Sequence, residues 1–304
     1  MNKLPSYVVI TPARNEARFI EQTIESMISQ TVRPLEWVIV SDGSTDGTDE
    51  IVQKYVSQHP WIKLLRMPER KERHFAGKVM AFNAGYAKVH QLEYEVIASL
   101  DADISFQNGY FEFLLARLRE NPELGLVGTP FQDGGTEVYD YRFVNIEHVS
   151  GACQVFRREC FEQIGGYTPI KGGGIDYFAV LSARMKGWKT RTFTEMFCVH
   201  HREMGTAQHS LLRSRFNYGV KDYVFGNHPL WEVFRTAYQM TKKPVAIGGL
   251  ALLSGYVSAA CRRVQRSVSP EMKQFVQQEQ LDRLKRLASR RSRVAVDSPT
   301  AGCI

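Results

Sequence analysis

The sequence predicts an α/β fold built on an open, mostly parallel β-sheet, and three observations lead to that prediction. Between residues 6 and 128, short apolar runs alternate with longer helical stretches, an order typical of a parallel sheet with right-handed crossovers. Most of the apolar runs contain no charged residue, as expected for strands covered on both faces. Polar clusters directly follow three of the runs, where ligands bind in open α/β sheets.

The elements follow from this pattern in chain order. Five strands are predicted, at Tyr7–Thr11, Trp37–Ser41, Ile62–Met67, Val96–Leu100 and Leu124–Gly128. Helices are predicted near 16–30, 47–57, 78–89 and 108–120. The third strand carries Lys63 and Arg66, which indicates an edge position. A short strand at Lys189–Phe193 and helices over 206–241 complete the pattern.

Composition restricts the class of protein. The 304 residues, 43% hydrophobic and 23% charged, suit one large domain or two small ones. Five cysteines without a Cys-x-x-Cys pair indicate a reducing compartment and argue against a disulfide framework or a zinc site. Because a strand begins at Ser6, we expect no signal peptide.

The net charge of +7 lies entirely in residues 262–294, which hold ten Lys/Arg and three Asp/Glu, so the remainder is neutral. Such a segment favours an anionic partner, either a membrane or nucleic acid. Residues 244–260 carry no charge, are flanked by basic pairs, and are borderline in length for spanning a bilayer. A helix starting after Ser269 has apolar and basic sides, which is typical of a membrane-surface helix. The alternative is a helix that packs on the body of the protein.

Asp101 and Asp103 follow the fourth strand at alternate positions. A buried core does not tolerate two carboxylates without a cation or dedicated hydrogen bonds. At the end of a parallel strand, in the ligand crevice of the sheet, the pair suits a divalent metal that holds a diphosphate.

Two further clusters end the first and second strands at the same sheet edge. The first contains Pro12, Arg14, Asn15 and Glu16, and the second runs from Asp42 to Thr48. Asp42 is suited to accept hydrogen bonds from a base or ribose, and Gly43 permits a tight turn. Helix capping is the alternative for Asp46. Cations in residues 69–78, Arg73 and Lys78 among them, could bind a phosphate at the next helix N-terminus. A solvated charged loop is the alternative.

These motifs, in this order and spacing, resemble those of family-2 glycosyltransferases with the GT-A fold. The resemblance covers about residues 5–205 and implies a nucleotide-sugar donor, with Asp42 at the nucleobase and the residues from Pro12 to Glu16 lining the nucleoside pocket. Asp103 would bind Mg or Mn, with Asp101 near the ribose and metal. Similarity to GT-A enzymes with a downstream histidine ligand favours His200 over His201 as the second ligand. The alternative is a histidine that only forms hydrogen bonds.

The resemblance also implies a general base at Asp176. The family usually has Glu-Asp there, whereas this chain has Ile175 before the Asp. This departure leaves the base in place and removes any role of the Glu. The alternative for Asp176 is a helix N-cap.

The sequence thus predicts a GT-A donor half over 1–128, an acceptor half with a helical cover over 129–241, a membrane-associated segment over 242–291 and a disordered tail over 292–304. The expected activity is inverting sugar transfer to a glycan or lipid-linked acceptor in polysaccharide or glycolipid assembly. UDP- or GDP-sugars are the expected donors. We expect peripheral or monotopic attachment to the cytoplasmic face of the cell membrane, and no nucleic-acid partner. The alternatives are a sugar-phosphate nucleotidyltransferase and a catalytically silent nucleotide-sugar binder.

Overall fold

A computed structural model describes residues 3–69, 76–133, 136–137, 146–170, 173–202 and 211–296. The chain divides into two compact units, Met1–Met204 and Gly205–Ile304. The predicted boundaries at 128 and 241 do not coincide with this division. Strands on both sides of residue 128 share one sheet, and helices on both sides of residue 241 pack together. The predicted division of the chain remains a prediction.

The first unit is an α/β layer structure. Its strands are β1 Tyr7–Ala13, β2 Glu36–Asp42, β3 Ile62–Met67, β4 Val96–Leu100, β5 Ile104–Phe106, β6 Leu124–Gly128, β7 Phe131–Asp133, β8 Thr136–Glu137, β9 Cys153–Arg157, β10 Lys189–Thr192 and β11 Cys198–His200. Its helices are α1 Ile20–Ile28, α2 Thr48–Gln58, α3 Ala76–Val89, α4 Tyr110–Glu120, α5 Arg158–Gln163 and α6 Ile175–Met185.

Seven strands form the main sheet in the order β10-β6-β9-β4-β1-β2-β3. All pairs are parallel except those of β9, which runs antiparallel between β4 and β6. The predicted mostly parallel α/β sheet is therefore confirmed, and β3 lies at its edge as its charges indicated. Strand β9 was not predicted from the sequence.

Apolar side chains on both faces of the sheet hold the helices against it. Val8, Ile10 and Val38 contribute to one core, and Tyr7, Val9 and Trp37 to the other. Alternate residues of each strand thus enter opposite cores, as the two-residue repeat of a strand requires. On α3, Gly85 lies so close to the sheet that a Cβ atom would come within 2.7 Å of Ile10.

A second sheet, in the order β5-β11-β7-β8, lies in the same unit. Its strand β5 begins directly after Asp103, and β11 pairs antiparallel with it, so that His200 lies opposite Ile104. This pairing connects the acidic motif to a segment almost 100 residues later in the chain.

The second unit contains four described helices: α7 Leu211–Val224, α8 Pro229–Met240, α9 Ile247–Cys261 and α10 Pro270–Val296. Ser269 caps α10 as predicted, since its hydroxyl accepts a hydrogen bond from the Met272 amide at 3.2 Å. The helix continues to Val296, so residues 292–296 are helical and not a disordered tail. Residues 297–304 lie outside the described part. No helix among the described residues is both long and apolar enough to cross a membrane.

The inner side of α10 packs within its own unit. Val276 is buried, Gln280 donates to the Asn227 side chain at 2.8 Å, and Gln277 donates to the Gly226 carbonyl at 3.1 Å. The apolar side that suggested a membrane-surface helix is therefore used, at Val276, for packing on neighbouring helices.

Candidate active site

The loops after β1 and β2 are joined by reciprocal hydrogen bonds. Asn15 adopts a left-handed backbone conformation with φ 56°. Its amide donates to the Ser44 hydroxyl at 3.1 Å, and its side-chain oxygen accepts from the Thr45 amide at 2.9 Å. Asn15 thus shapes the wall between the two loops.

A second set of bonds extends the connection. The Glu16 amide donates to the Thr48 hydroxyl at 2.9 Å, and the Ala17 amide donates to Asp46 at 3.0 Å. Gly47, with φ 93°, is the N-cap residue of α2, so Asp46 is not the cap. Burial opposes the charge of Asp46, but hydrogen bonds from Thr48 and Ala17 lower its pKa. Asp46 therefore holds two loops together as a carboxylate.

The predicted nucleoside-binding residues come together beside this connection. Asp42 ends β2, is 5% exposed, and lies 3.9 Å from the Arg14 guanidinium. Pro12 pairs with Val40 in the adjoining strands. Gly43 follows with φ 67°, a left-handed conformation that favours glycine. The strand pairing thus gathers these four residues at one edge of the sheet.

Lys78 forms an ion pair with Asp101. Burial opposes the charge of Lys78, yet the charges of Asp101, Asp176 and Asp103 raise its pKa. Burial also raises the pKa of Asp101, and the ammonium group acts in the opposite direction. Three carboxylates therefore surround one ammonium. The prediction assigned Lys78 to a phosphate, whereas the structure pairs it with a carboxylate. Arg73 lies outside the described residues.

Asp103 is almost buried and contacts two cationic or titratable groups. His200 Nε2 lies 3.5 Å from its Oδ1, and Arg202 Nε lies 3.1 Å from its Oδ2. The pairing of β5 with β11 produces this arrangement, because the Asp103 carbonyl also accepts the His201 amide at 2.9 Å. Asp103 and His200, the predicted metal ligands, are therefore neighbours.

The two adjacent histidines point in different directions, since successive residues of a strand face opposite sides. His200 packs beside the Phe131 ring, and its Nδ1 is buried with no hydrogen-bond partner among the described residues. His201 instead bonds the Ser105 hydroxyl at 2.8 Å and stacks on Phe19. Burial lowers the pKa of His201. His200 thus faces the acidic cluster, and His201 serves local packing.

Asp176 lies in the first turn of α6, after two glycines, Gly173 and Gly174, with positive φ. The N-cap residue is Gly174, so the N-cap alternative for Asp176 is wrong. Gly151 is packed against it, since a Cβ atom there would lie 3.0 Å from Asp176 Oδ2. Ile175 packs against the sheet core. The Gly151 backbone therefore approaches the Asp176 side chain so closely that any larger residue at position 151 would contact it.

Residues 8–165 of the chain, just over half of its length, match the sequence profile described as glycosyl transferase family 2. The chain belongs to this family. This result agrees with the resemblance drawn from the motifs and favours it over the nucleotidyltransferase alternative.

Two relatives illustrate the family's range. The chain is 29% identical to the probable glycosyltransferase YdaM of Bacillus subtilis over 49% of its own length and 35% of that protein. It is 28% identical to the hyaluronan synthase of Pasteurella multocida over 42% of its own length and 12% of the synthase. The matched part thus spans well under half of either relative.

Solved structures confirm the GT-A fold of this glycosyltransferase. A mannosyltransferase from Pyrobaculum calidifontis, in complex with GDP-Man and Mn²⁺, superimposes with a TM-score of 0.57 at 20% identity, covering 98% of this chain and 82% of that one. GalNAc-T7 with UDP, GalNAc and Mn²⁺ gives a TM-score of 0.54 at 15% identity, over 88% and 56% of the two chains. At these identities the likeness establishes the fold alone.

Arg202 is a site residue of this family-2 glycosyltransferase that sequence reasoning missed. Its guanidinium bridges Asp103 and Glu16. Burial raises the pKa of Glu16 to about 7, with the Asp103 charge acting in the same direction and Arg202 against it. Nothing in the local pattern distinguishes Arg202 from a surface arginine, because its role depends on the pairing of β5 with β11.

Gln154 and His148 were also missed. The Gln154 amide donates to the carbonyls of Val149 and Asp176 at 3.1 and 3.2 Å, and it accepts the Tyr167 hydroxyl at 2.6 Å. It therefore fastens the start of α6 to the Gly151 turn. Burial lowers the pKa of His148, while the Asp176 charge acts to raise it, so this imidazole lies within the field of Asp176.

The donor set fits a divalent cation in part. A carboxylate and an imidazole suit Mg²⁺ or Mn²⁺, and the unpartnered buried Nδ1 of His200 is a nitrogen with unused bonding capacity. Among the described residues, no group of three or more His, Cys, Asp and Glu side chains could hold a metal. Asp103 and His200 can therefore supply two ligands, and the others would come from elsewhere.

Proposed function

We propose that this protein transfers a sugar from a nucleoside-diphosphate sugar to an acceptor hydroxyl, with inversion at the anomeric carbon. The observation that supports this most directly is that Arg202 joins the Asp103–His200 pair to Glu16 of the first nucleoside-binding loop, while Lys78 pairs with Asp101 of the same acidic motif. These groups would recognise a nucleotide, bind a diphosphate and accept a proton. Membership of glycosyl transferase family 2 supports the same reaction.

The donor would lie along the ends of β1, β2 and β4. Asp42 would accept hydrogen bonds from the base or ribose, and the connected loops from Pro12 to Glu16 and from Gly43 to Thr48 would enclose the nucleoside. Asp101 would lie near the ribose. We propose a UDP- or GDP-sugar as donor, since structures of the same fold hold GDP-Man and UDP.

Asp103 and His200 would hold Mg²⁺ or Mn²⁺. When bound, the cation would neutralise the charge that develops on the departing diphosphate. Lys78 and Arg202 are neighbouring cations, each now paired with a carboxylate, and either could change partner to a phosphate oxygen. Arg202, which contacts Asp103, would also orient that carboxylate toward a bound cation.

Asp176 would act as the general base. The acceptor oxygen attacks the anomeric carbon from the side opposite the diphosphate, the new C–O bond forms as the bond to the diphosphate oxygen breaks, and the hydroxyl proton passes to the Asp176 carboxylate. Gly151 leaves the space beside that carboxylate free of a side chain. The proton is thus taken up on the acceptor side.

We further propose that the acceptor is a glycan or a lipid-linked glycan in polysaccharide or glycolipid assembly, and that the protein attaches to the cytoplasmic face of the cell membrane. The hyaluronan synthase among its relatives supports the polysaccharide class. The net +7 charge of residues 262–294 supports an anionic membrane as partner, since each Lys or Arg near such a surface adds about 1 kcal/mol. Attachment would be peripheral or monotopic.

A two-step experiment tests the transferase proposal. A thermal-shift panel of UDP- and GDP-sugars with Mg²⁺ or Mn²⁺ identifies the donor, because a ligand that binds only the folded state raises its melting temperature. Transfer or hydrolysis of that donor is then measured with and without EDTA. Donor binding without turnover on glycan and lipid-linked acceptors would indicate a catalytically silent binder. Unchanged turnover in EDTA would show that the reaction does not need a divalent metal.

A further inference from the structure

Helix α8 is amphipathic, but its apolar side is exposed and its polar side is buried, the opposite of a helix that packs on a soluble core. Leu230, Val233 and Phe234 are exposed, the first two at 59% and 58%, and Ala237 continues the same side. The opposite side, which includes Glu232 and Thr236, is buried. Single exposed apolar residues are ordinary, but a helix with a polar inner side and an apolar outer side is not.

The inner side of α8 belongs to a buried polar network. Arg235 forms an ion pair with Asp222 of α7, and Asn227 donates to the same carboxylate at 3.1 Å. Tyr256 of α9 donates to the Asn227 carbonyl at 2.8 Å. Hydrogen bonds and an ion pair thus connect α7, α8 and α9 beside the buried apolar residues Leu252 and Tyr256.

Glycines bring the helices of this unit into backbone contact. A Cβ atom at Gly219 of α7 would lie 1.9 Å from the Leu252 carbonyl oxygen of α9, and one at Gly255 would lie 2.0 Å from that of Phe216. Gly249 is packed in the same way against Thr236 of α8, with its Cβ position 2.7 Å from the carbonyl oxygen. Close packing through small residues, with polar groups between the helices, is typical of helices that associate in lipid.

Helix α9 also turns an apolar side outward. Ile247, Leu250 and Val257, at intervals of three and seven residues, are each about half exposed, while Leu252 and Tyr256 are buried. Exposed Lys242 and Lys243 lie in the connection between α8 and α9. Lys242 lies over the Tyr238 ring, with its ammonium 5.1 Å from the ring centroid. This places basic side chains at the border of apolar surface, where a lipid headgroup would lie.

We infer that the outward apolar sides of α8 and α9 form a surface that inserts into the headgroup region of an anionic bilayer, with Lys242 and Lys243 contacting lipid phosphates. This inference rests on the membrane attachment proposed above and assigns it to a surface other than the inner side of α10. A polar interior, an apolar exterior and basic residues at the border are the combination that such a position requires. A soluble oligomer interface would not need the polar interior.

Flotation of the full chain with vesicles of phosphatidylcholine and phosphatidylglycerol tests the inference. The variants Val233→Asp and Leu250→Asp place a charge on the outward sides without disturbing the interior. The matched control is Leu35→Asp, since Leu35 is 51% exposed in the other unit. We expect the floated fraction to fall at least about tenfold for the two variants, the minimum for losing one buried Val or Leu side chain, and to remain unchanged for the control. Circular dichroism confirms that each variant folds.

The double variant Leu230→Ala and Val233→Ala gives a second measurement without an added charge, and an intermediate loss of flotation is expected. Wild-type protein should bind pure phosphatidylcholine vesicles more weakly than the anionic vesicles. The double variant Lys242→Gln and Lys243→Gln should bind the anionic vesicles more weakly than wild type does. Normal flotation of both Asp variants would overturn the assignment. The assignment would also be overturned if wild-type protein failed to float and formed concentration-dependent dimers, and if Val233→Asp dissociated those dimers.

Donor hydrolysis in the absence of vesicles, measured on the same samples, separates this inference from the proposed reaction. Active protein with unchanged flotation of the Asp variants contradicts the membrane surface alone. Inactive protein that floats in the expected pattern contradicts the transferase proposal alone.

Discussion

The two units of this chain are built on opposite principles. The first buries large apolar side chains, with Trp37, Tyr110 and Phe82 almost fully enclosed, and places Asp101 and Asp103 directly after a sheet strand. The second buries Asp222 and Glu232 and exposes Leu230, Val233 and Ile247. A sheet and its helices are stabilised by removing apolar surface from water, whereas the second unit relies on close backbone contacts and buried polar pairs. Large apolar side chains are thus buried in the first unit, whereas in the second unit some apolar side chains are exposed and two carboxyl groups are buried.

The largest effect on stability is expected at the glycine contacts between the helices of the second unit. Gly219→Ala would push a methyl group into the Leu252 carbonyl and should lower the free energy of unfolding of this unit by about 3 kcal/mol or more, the upper range for overpacking. Thermal and denaturant melts followed by circular dichroism measure it. The control is Gly109→Ala in the first unit, where no atom lies within 4 Å of the Cβ position. Equal stability of both variants would show that the α7–α9 contact is loose.

The second prediction concerns the acidic site of the first unit. Asp176→Asn keeps the shape of the side chain but removes proton acceptance, so kcat should fall by roughly a hundredfold or more. Donor affinity, measured by thermal shift or calorimetry, should remain nearly unchanged. Asp282→Asn on α10, whose side chain is 46% exposed, is the matched control and should retain full activity. A variant with weakened donor binding and normal turnover would make Asp176 a binding residue.

The third prediction uses the buried carboxyl pair of the second unit. Burial raises the pKa of Glu232 to about 8, and the neighbouring Asp222 carboxylate acts in the same direction. Since the folded state then holds a proton that the unfolded state releases near pH 4.5, stability is greatest below that pH and falls as pH rises through 8. Between pH 6 and 9 the loss should be about 3 kcal/mol, since the two pH units between 6 and 8 each contribute about 1.4 kcal/mol.

Glu232→Gln, which keeps a hydrogen-bond donor toward Asp222 and cannot ionise, should remove most of this pH dependence. The control is Glu120→Gln, an exposed residue of the first unit. Denaturant melts at both pH values measure the difference. A wild type whose stability is the same at pH 6 and 9 would show that Glu232 is already ionised at neutral pH.

The smallest expected difference separates the two histidines. His200→Ala should weaken Mn²⁺ binding, followed by calorimetry in the presence of donor nucleotide, by at least about tenfold relative to His201→Ala. The reason is that only His200 faces Asp103, at 3.5 Å, while His201 bonds Ser105. Equal losses in both variants would remove His200 from the proposed ligands.

Much of the fold was accessible from local pattern. The strands Ile62–Met67, Val96–Leu100 and Leu124–Gly128 occur at the predicted residues, because buried parallel strands leave uninterrupted apolar runs. The strand Cys153–Arg157 was missed. Its apolar run is interrupted by Gln154 and ends at Arg157, and the strand enters the sheet antiparallel between two earlier strands.

The sequence by itself determined the family and the positions of the acidic motifs, since short motifs at strand ends are local and their order is preserved along the chain. Tertiary structure alone decided the partners of those motifs. Arg202 reaches Asp103 and Glu16 because β11 pairs with β5, and Lys78 meets Asp101 because α3 packs against the sheet. It also decided which side of each C-terminal helix is buried. Periodicity shows that a helix has an apolar side, but the direction of that side depends on the neighbours it packs against.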